Sequence, residues 1–97
     1  MANPKWEVEA AAVAAARKYD DLEVLDIYEA IGDRCNYWRP VQTITERLTA
    51  LSDATSSTDR FRAVAILEKL LSTPGQSATQ QKRLKAAIVE LRARDLH

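Results

Sequence analysis

Apolar residues recur at every third or fourth position through most of this chain, which is the spacing of one face of an α-helix. The clearest stripe comprises Val24, Ile27, Tyr28 and Ile31. At 100° per residue these four side chains lie within an arc of about 80°. Period-2 alternation, the pattern of a half-buried strand, occurs in no segment. The pattern predicts an all-α fold: a compact bundle of four or five helices with no sheet, in a single domain spanning residues 1–97.

Capping and helix-stop residues set the limits of the first three helices. An Asn-Pro pair at residues 3–4 starts a helix that runs to about Tyr19. Asp20 caps the second helix, and Gly32 ends it. The third helix begins at Pro40, and its buried residues are expected to be Val41, Ile44, Leu48 and Leu51.

The last two helices follow a polar loop. Ser57 and Thr58 are the candidate caps of the fourth helix, which spans about residues 58–72. It is apolar on almost every side, and its apolar residues are Phe61, Val64, Ile66, Leu67, Leu70 and Leu71. We therefore expect it to be the central element of the core. Ser77 and Gln80 form a capping box for the last helix, which buries Leu84, Ala87, Ile88 and Leu91.

The first helix is alanine-rich and apolar on two sides. One face comprises Trp6, Ala10 and Val13, and the other comprises Val8, Ala12, Ala15 and Tyr19. A helix with two apolar faces is either sandwiched in a core or used for self-association. A homodimer is therefore one expected assembly, and burial of both faces within one chain is the alternative.

Composition narrows the class of protein. An apolar fraction of 46% is typical of a globular chain and argues against global disorder. Fourteen basic and fourteen acidic residues cancel, whereas a dedicated nucleic-acid binder usually carries a basic excess. No apolar run is long enough for a membrane span or a signal peptide, so no membrane role is expected. A single cysteine cannot form an internal disulfide, and the expected location is the cytoplasm.

Enzyme chemistry finds little support in these residues, and we expect no catalytic residue and no cofactor. The one histidine is the last residue, His97, so no Cys-His or Ser-His-Asp arrangement is expected around Cys35. No glycine-rich phosphate loop occurs, and one cysteine and one histidine do not supply the usual set of zinc ligands. A magnesium site is geometrically conceivable on Glu23, Asp26, Glu29 and Asp33. A solvated acidic face is the favoured interpretation, so no metal is expected.

The stretch GDRCNYWRP, residues 32–40, is the candidate contact surface. Gly32 and Pro40 make it a connection between two helices, and its aromatic side chains are expected to cover the open end of the core. Tryptophan, tyrosine and arginine also dominate the energetics of protein interfaces. The candidate protein-binding anchors are Tyr37, Trp38 and Arg39.

Charge is unevenly distributed despite the zero sum. Residues 20–33 contain six acids and no base, whereas residues 82–94 contain five bases and one acid. An acidic face on the second helix would steer a basic partner, including one that itself handles nucleic acid. The residues expected to form this face are Glu23, Asp26 and Glu29.

A second interpretation involves DNA. The stretches RFRAVAI (residues 60–66) and RLKAAIV (residues 83–89) share one pattern of basic and apolar positions. The segment at residues 43–70, TITERLTALSDATSSTDRFRAVAILEKL, resembles the helix-turn-helix unit of bacterial regulators over about a quarter of the chain. The resemblance implies a DNA-binding transcriptional regulator in which the fourth helix faces DNA. Its phosphate contacts would come from Arg60, Arg62, Lys82, Arg83 and Lys85.

The sequence thus favours a small non-enzymatic helical protein–protein interaction module that acts as an adaptor, inhibitor or regulatory subunit. Small phage and mobile-element products that block host machinery have this profile. The partner is expected to be another protein, and nucleic acid is a partner only under the helix-turn-helix alternative.

Overall fold

The computed structural model describes residues 4–31, 38–52 and 55–94, and within the first helix it describes side chains from Glu9 onward. Every regular element in these ranges is an α-helix. The helices are α1 (Pro4–Lys18), α2 (Asp21–Ile31), α3 (Trp38–Thr49), α4 (Ser57–Ser72) and α5 (Ala78–Arg94). The all-α bundle predicted from the apolar periodicity is confirmed.

Side-chain caps explain where three of the helices begin. The Glu23 amide donates to Asp20 Oδ1 at 2.9 Å at the start of α2, and the Gln80 amide donates to Ser77 Oγ at 3.1 Å at the start of α5. Both caps were predicted from the sequence. The predicted cap of α4 was wrong by one residue, because Ser56 is the residue with extended backbone and its hydroxyl accepts from the Asp59 amide at 3.2 Å.

The start of α3 also differs from the prediction. The helix begins at Trp38, two residues before Pro40. A proline is tolerated there because the first four amides of a helix have no helical acceptor, so the missing N–H of Pro40 costs no hydrogen bond. Trp38 and Arg39 therefore belong to the first turn of a helix rather than to a connection. The predicted stop at Gly32, together with Asp33, Cys35 and Tyr37, lies outside the described residues.

The core is built from the predicted stripes. All four residues predicted to be buried in α3 and the segment that follows it are buried, and so are the four predicted in α5. In α2, Val24, Tyr28 and Ile31 are buried as expected, and Ile27 packs against the core at its edge. Leu25, which lies next to the predicted stripe, is also fully buried.

Packing of the helices gives α4 and α3 comparable positions at the centre. α4 packs against α2, α3 and α5, while α3 packs against α1, α4 and α5. The core residues of α4 are Ala63, Val64, Ile66, Leu67 and Leu70. Phe61 does not join them, because 72% of it is exposed on the outer side of the helix. The expectation that α4 is buried almost all round is corrected at this position.

An ion pair and a backbone hydrogen bond tie the start of α2 to the end of α3. Arg47 Nη2 lies 2.7 Å from Asp21 Oδ1, and the Ser52 amide donates to Asp21 Oδ2 at 3.0 Å. Burial raises the pKa of Asp21, but hydrogen bonds from the Ser52 amide, Arg47 and Thr55 outweigh burial and hold this pKa below the ordinary 3.8. The carboxylate thus stabilises the fold in its charged form.

This arrangement predicts a loss of stability in acid. A carboxyl group with a folded-state pKa below its unfolded value stabilises the protein fully above about pH 4, and that stabilisation disappears as pH falls through the folded pKa. Asp21→Asn should therefore lower the free energy of unfolding at pH 6, and the difference from the unmodified protein should shrink below pH 4. Urea titrations at pH 6, 4 and 3 measure this. Glu23→Gln is the control, because Glu23 is exposed in the same turn. A pH-independent deficit in Asp21→Asn would contradict the prediction.

Candidate functional site

Trp38 is presented at the surface in a defined orientation. About half of it, 48%, remains exposed. The Arg39 guanidinium carbon lies 5.1 Å from the centroid of the Trp38 ring, within the range of a cation–π contact. Arg39 Nη1 in turn lies 3.2 Å from Glu9 Oε1 of α1. The sequence placed these two residues at a contact surface, and the structure brings them together, with α1 holding the arginine beside the indole.

A groove runs from Trp38 along the line where α3 meets α5. A cavity of ≈ 280 Å³ lies between Trp38 and Gln80, and a second of ≈ 330 Å³ continues toward Glu46 and Glu90. Three residues line both cavities: Gln42, Thr45 and Arg83. The two cavities therefore form one continuous depression, which we call the α3–α5 groove. Trp38 lies at one end of it and the acidic pair lies at the other.

Short side chains from both helices contribute to the walls of the groove, beside longer ones such as Gln42 and Arg83. Thr45 on α3 faces a stretch of α5 that contributes Ala86 and Ala87. Two polar residues of the walls are already hydrogen-bonded within the chain. Thr45 Oγ1 donates to Val41 O at 2.6 Å, and Gln42 Nε2 donates to Glu46 Oε1 at 3.1 Å. Covering these walls with a partner costs less than burying unsatisfied polar groups would.

The helices on either side of the groove run in the same direction. Trp38, the first residue of α3, and Ser77, the cap of α5, line the same cavity. At the opposite ends, Arg94 Nη2 of α5 donates to Thr49 O of α3 at 2.9 Å. The two N-termini therefore meet near Trp38 and the two C-termini meet near Thr49.

The acidic face predicted on α2 is partly engaged within the chain. Arg62 of α4 forms ion pairs with Asp26, at 2.6 Å, and with Glu29, and it also contacts Asp59 at 3.4 Å. The hydrogen bonds that Arg62 donates to Glu29 and then to Asp26 raise the pKa of Arg62 above its ordinary value, since burial opposes them only weakly. Three carboxylates around one guanidinium leave a net charge of −2. Glu23, on the same helix, is exposed.

The five residues expected to contact DNA are not alike in the structure. Arg62 is held by carboxylates, and Arg60 Nη1 donates to Thr55 O at 2.8 Å. Lys82, Arg83 and Lys85 are exposed on α5. Arg62 would have to leave its ion pairs to reach a phosphate. The segment between α3 and α4 spans residues 50–56, and part of it lies outside the described residues.

The remaining sequence expectations concern α1 and metal ligands. The Ala12 and Ala15 face of α1 is buried in the core, whereas Ala10 is exposed and Val13 is half-buried on the other face. The side chains of Trp6 and Val8 and the whole of Asp33 lie outside the described residues. Within the described ranges, no group of three His, Cys, Asp or Glu residues is arranged to hold a metal ion. No helix of these ranges is long and apolar enough to cross a membrane.

Sequence reasoning singled out Trp38 and Arg39 as candidate anchors but did not indicate the groove beside them. Its walls, Gln42, Thr45 and Gln80, carry no chemical signal of their own in the sequence. Arg83 was singled out only as a phosphate contact. The local pattern that could have indicated the groove is the presence of small residues on the outer sides of both helices. That pattern does not show that the two helices pack together.

Fold and surface together define the class of this protein: a small all-α bundle that displays a tryptophan at the end of an open interhelical groove. In the comparisons with known proteins, no family model matches the chain, and neither a curated protein nor a solved structure matches it at a significant level.

Proposed function

We propose that this protein is a non-enzymatic protein–protein interaction module, acting as an adaptor, inhibitor or regulatory subunit, and that it binds its partner at the α3–α5 groove. The observation that supports this most directly is the half-exposed Trp38, fixed by Arg39 at the end of the groove. A tryptophan buries about 200 Å² when it is fully covered. Covering the remaining half would remove about 100 Å² from water, which corresponds to about 2.5 kcal/mol.

The acidic surface of α2 supports a partner of opposite charge. Three carboxylates surround Arg62, and Glu23 is exposed on the same helix, so acids outnumber the one arginine that pairs with them on this surface of α2. Complementary potential mainly raises the rate and specificity of association. We therefore propose that the partner is a basic protein, such as one that handles nucleic acid, and that the two proteins meet in the cytoplasm. Glu23, Asp26 and Glu29 would steer this partner, while Trp38 and Arg39 anchor it, together with Tyr37.

The test of this function is to identify the partner at the groove and then remove the anchor. A photo-crosslinking amino acid at Gln42, which lines the groove, should trap one protein in the native cell, and the same group at exposed Gln81 of α5, which lines neither cavity, should not. With the purified partner, Trp38→Ala should weaken binding by about 2 kcal/mol or more, measured by calorimetry. Phe61→Ala, which removes a more exposed aromatic residue on α4, should leave affinity unchanged.

Circular dichroism separates a binding role from a structural one. Trp38→Ala should keep the helical signal, because half of the side chain contributes nothing to the core. If the variant unfolds, Trp38→Phe keeps most of the ring and retains the stability needed for the binding assay. Trp38 would be a structural residue only if every folded variant bound the partner as tightly as the unmodified protein.

A DNA-binding function remains the second candidate, supported by three exposed bases on α5. A gel-shift titration on random and genomic fragments at two salt concentrations decides between the two functions. Phosphate contacts make affinity fall steeply with salt. Tight, sequence-selective shifts that are lost in a Lys82→Gln, Arg83→Gln, Lys85→Gln variant would replace the protein-binding proposal.

A further inference from the structure

We infer that the α3–α5 groove receives an amphipathic α-helix of the partner, with an acidic side chain against Arg83, where the two cavities meet, and a basic side chain beyond it against Glu46 and Glu90. This inference rests on the proposed function and specifies the partner's chemistry. Three features carry it: the dimensions of the groove, the absence of strand edges from the described residues, and the order of charges along the groove.

The size of the groove matches a short helix. From Trp38 to Thr49 the α3 wall is 12 residues long, which corresponds to about 18 Å, or roughly three turns of a facing helix. Its two cavities, ≈ 280 and ≈ 330 Å³, each lie at or below the lower end of the range for small-molecule sites. Two shallow cavities in a row suit successive side chains from one face of a helix, at i and i+4 or i+7.

The backbone of the occupant favours a helix over an extended segment. Both walls are helices, whose own amides and carbonyls are bonded internally, and no strand is present in the part of the chain that the structure describes. An extended peptide would therefore find no edge with which to pair its backbone groups. A helical occupant satisfies its backbone by itself and needs only side-chain contacts from the groove.

The charged residues along the groove indicate which end of the partner's helix carries the acidic side chain and which end carries the basic one. Near Trp38, Arg39 is balanced by Glu9, and Arg83, which lines both cavities, forms no ion pair with another described residue, so it places a charge of +1 between Trp38 and the acidic pair. Beyond Arg83, Glu90 is paired with Arg94 at 3.0 Å, whereas Glu46 forms no ion pair with a described residue and keeps its charge of −1. Because the two helices run parallel, the positive N-terminal ends of both backbone dipoles lie near Trp38, and the negative C-terminal ends lie near Thr49.

The test uses a displayed library of 16-residue helices. Each member carries a fixed Leu stripe, and its outward-flanking positions are randomised among Glu, Gln and Lys. Selection on the unmodified protein should enrich helices with acids at one end and bases at the other. A synthetic peptide of the selected sequence should shift the amide NMR signals of Gln42, Thr45 and Arg83. Its affinity should fall at least 10-fold in Trp38→Ala and in Arg83→Glu, but not in Phe61→Ala.

A charge swap provides the strictest criterion. Replacing the peptide's acid by lysine should restore binding to Arg83→Glu and weaken binding to the unmodified protein.

The inference is overturned if selected helices show no segregation of charge, if they map to another face, or if no member binds below about 100 µM. It is also overturned if light scattering shows a dimer that depends on Trp38, since a second copy of the chain would then occupy the groove. A partner that crosslinks at Gln42 without using a helix would refute this inference and leave the proposed function intact.

Discussion

Replacing Leu67 with alanine is expected to lower the free energy of unfolding by about 2–5 kcal/mol. Leu67 is fully buried in α4, and α4 packs against α2, α3 and α5. Truncation at this position removes apolar contact area and leaves a cavity that three neighbouring helices can only partly close. The measurement is a urea titration followed by circular dichroism.

Phe61→Ala is the matched control on the same helix. It removes a larger side chain, but one that is 72% exposed, so the expected change in the free energy of unfolding lies within about 0.5 kcal/mol. Leu67 and Phe61 are both apolar and both belong to α4. A difference between the two variants in the free energy of unfolding therefore reports the effect of burial. A cost below about 1 kcal/mol for Leu67→Ala would mean that α4 is peripheral to the stability of the bundle.

The helices could be predicted because their signals are local. The stripe in α2 and the apolar positions of α3 and α5 repeat at the helical period, and each sequence pattern identifies the side that becomes buried. The caps at Asp20 and Ser77 are similarly local, since a side-chain oxygen bonds an amide three residues away. Errors at the starts of α3 and α4 were one or two residues, which is the scale at which helix ends vary.

Residues whose neighbours are distant in sequence could not be assigned. α4 is apolar on so many sides that periodicity cannot say which side faces the core, so Phe61 was expected inside and lies outside. Under the helix-turn-helix alternative Arg62 would face DNA, whereas its carboxylate partners Asp26 and Glu29 come 36 and 33 residues earlier. Only the packing of α2 on α4 brings these charges together.

The candidate site shows the same division. Trp38 was singled out by its chemistry, which a sequence displays directly. The groove depends on how α3 and α5 pack against each other, and no local sequence pattern predicts that packing. The contact between Arg39 and Glu9 likewise joins residues 30 positions apart. Sequence reasoning therefore singled out Trp38 as a candidate anchor but did not indicate the groove that lies beside it.

Tyr28→Ala is the second substitution with a large expected effect, a loss of about 3–5 kcal/mol in the free energy of unfolding. The ring is fully buried, and its hydroxyl donates to Ala12 O of α1 at 3.2 Å. Ala12 is itself fully buried, so its small side chain lets α1 approach the ring. Differential scanning calorimetry and urea titration both report the loss.

Tyr28→Phe separates the ring from the hydroxyl. It removes one hydrogen bond and keeps the packing, so the expected loss is only about 0.5–1.5 kcal/mol. The same variant tests how firmly α1 supports the candidate site, because α1 also carries Glu9, which holds Arg39 beside Trp38. If ring packing positions α1, Tyr28→Phe should bind the partner helix as tightly as the unmodified protein. A loss of stability equal to that of Tyr28→Ala would instead show that the hydrogen bond, and not the ring, holds α1 in place.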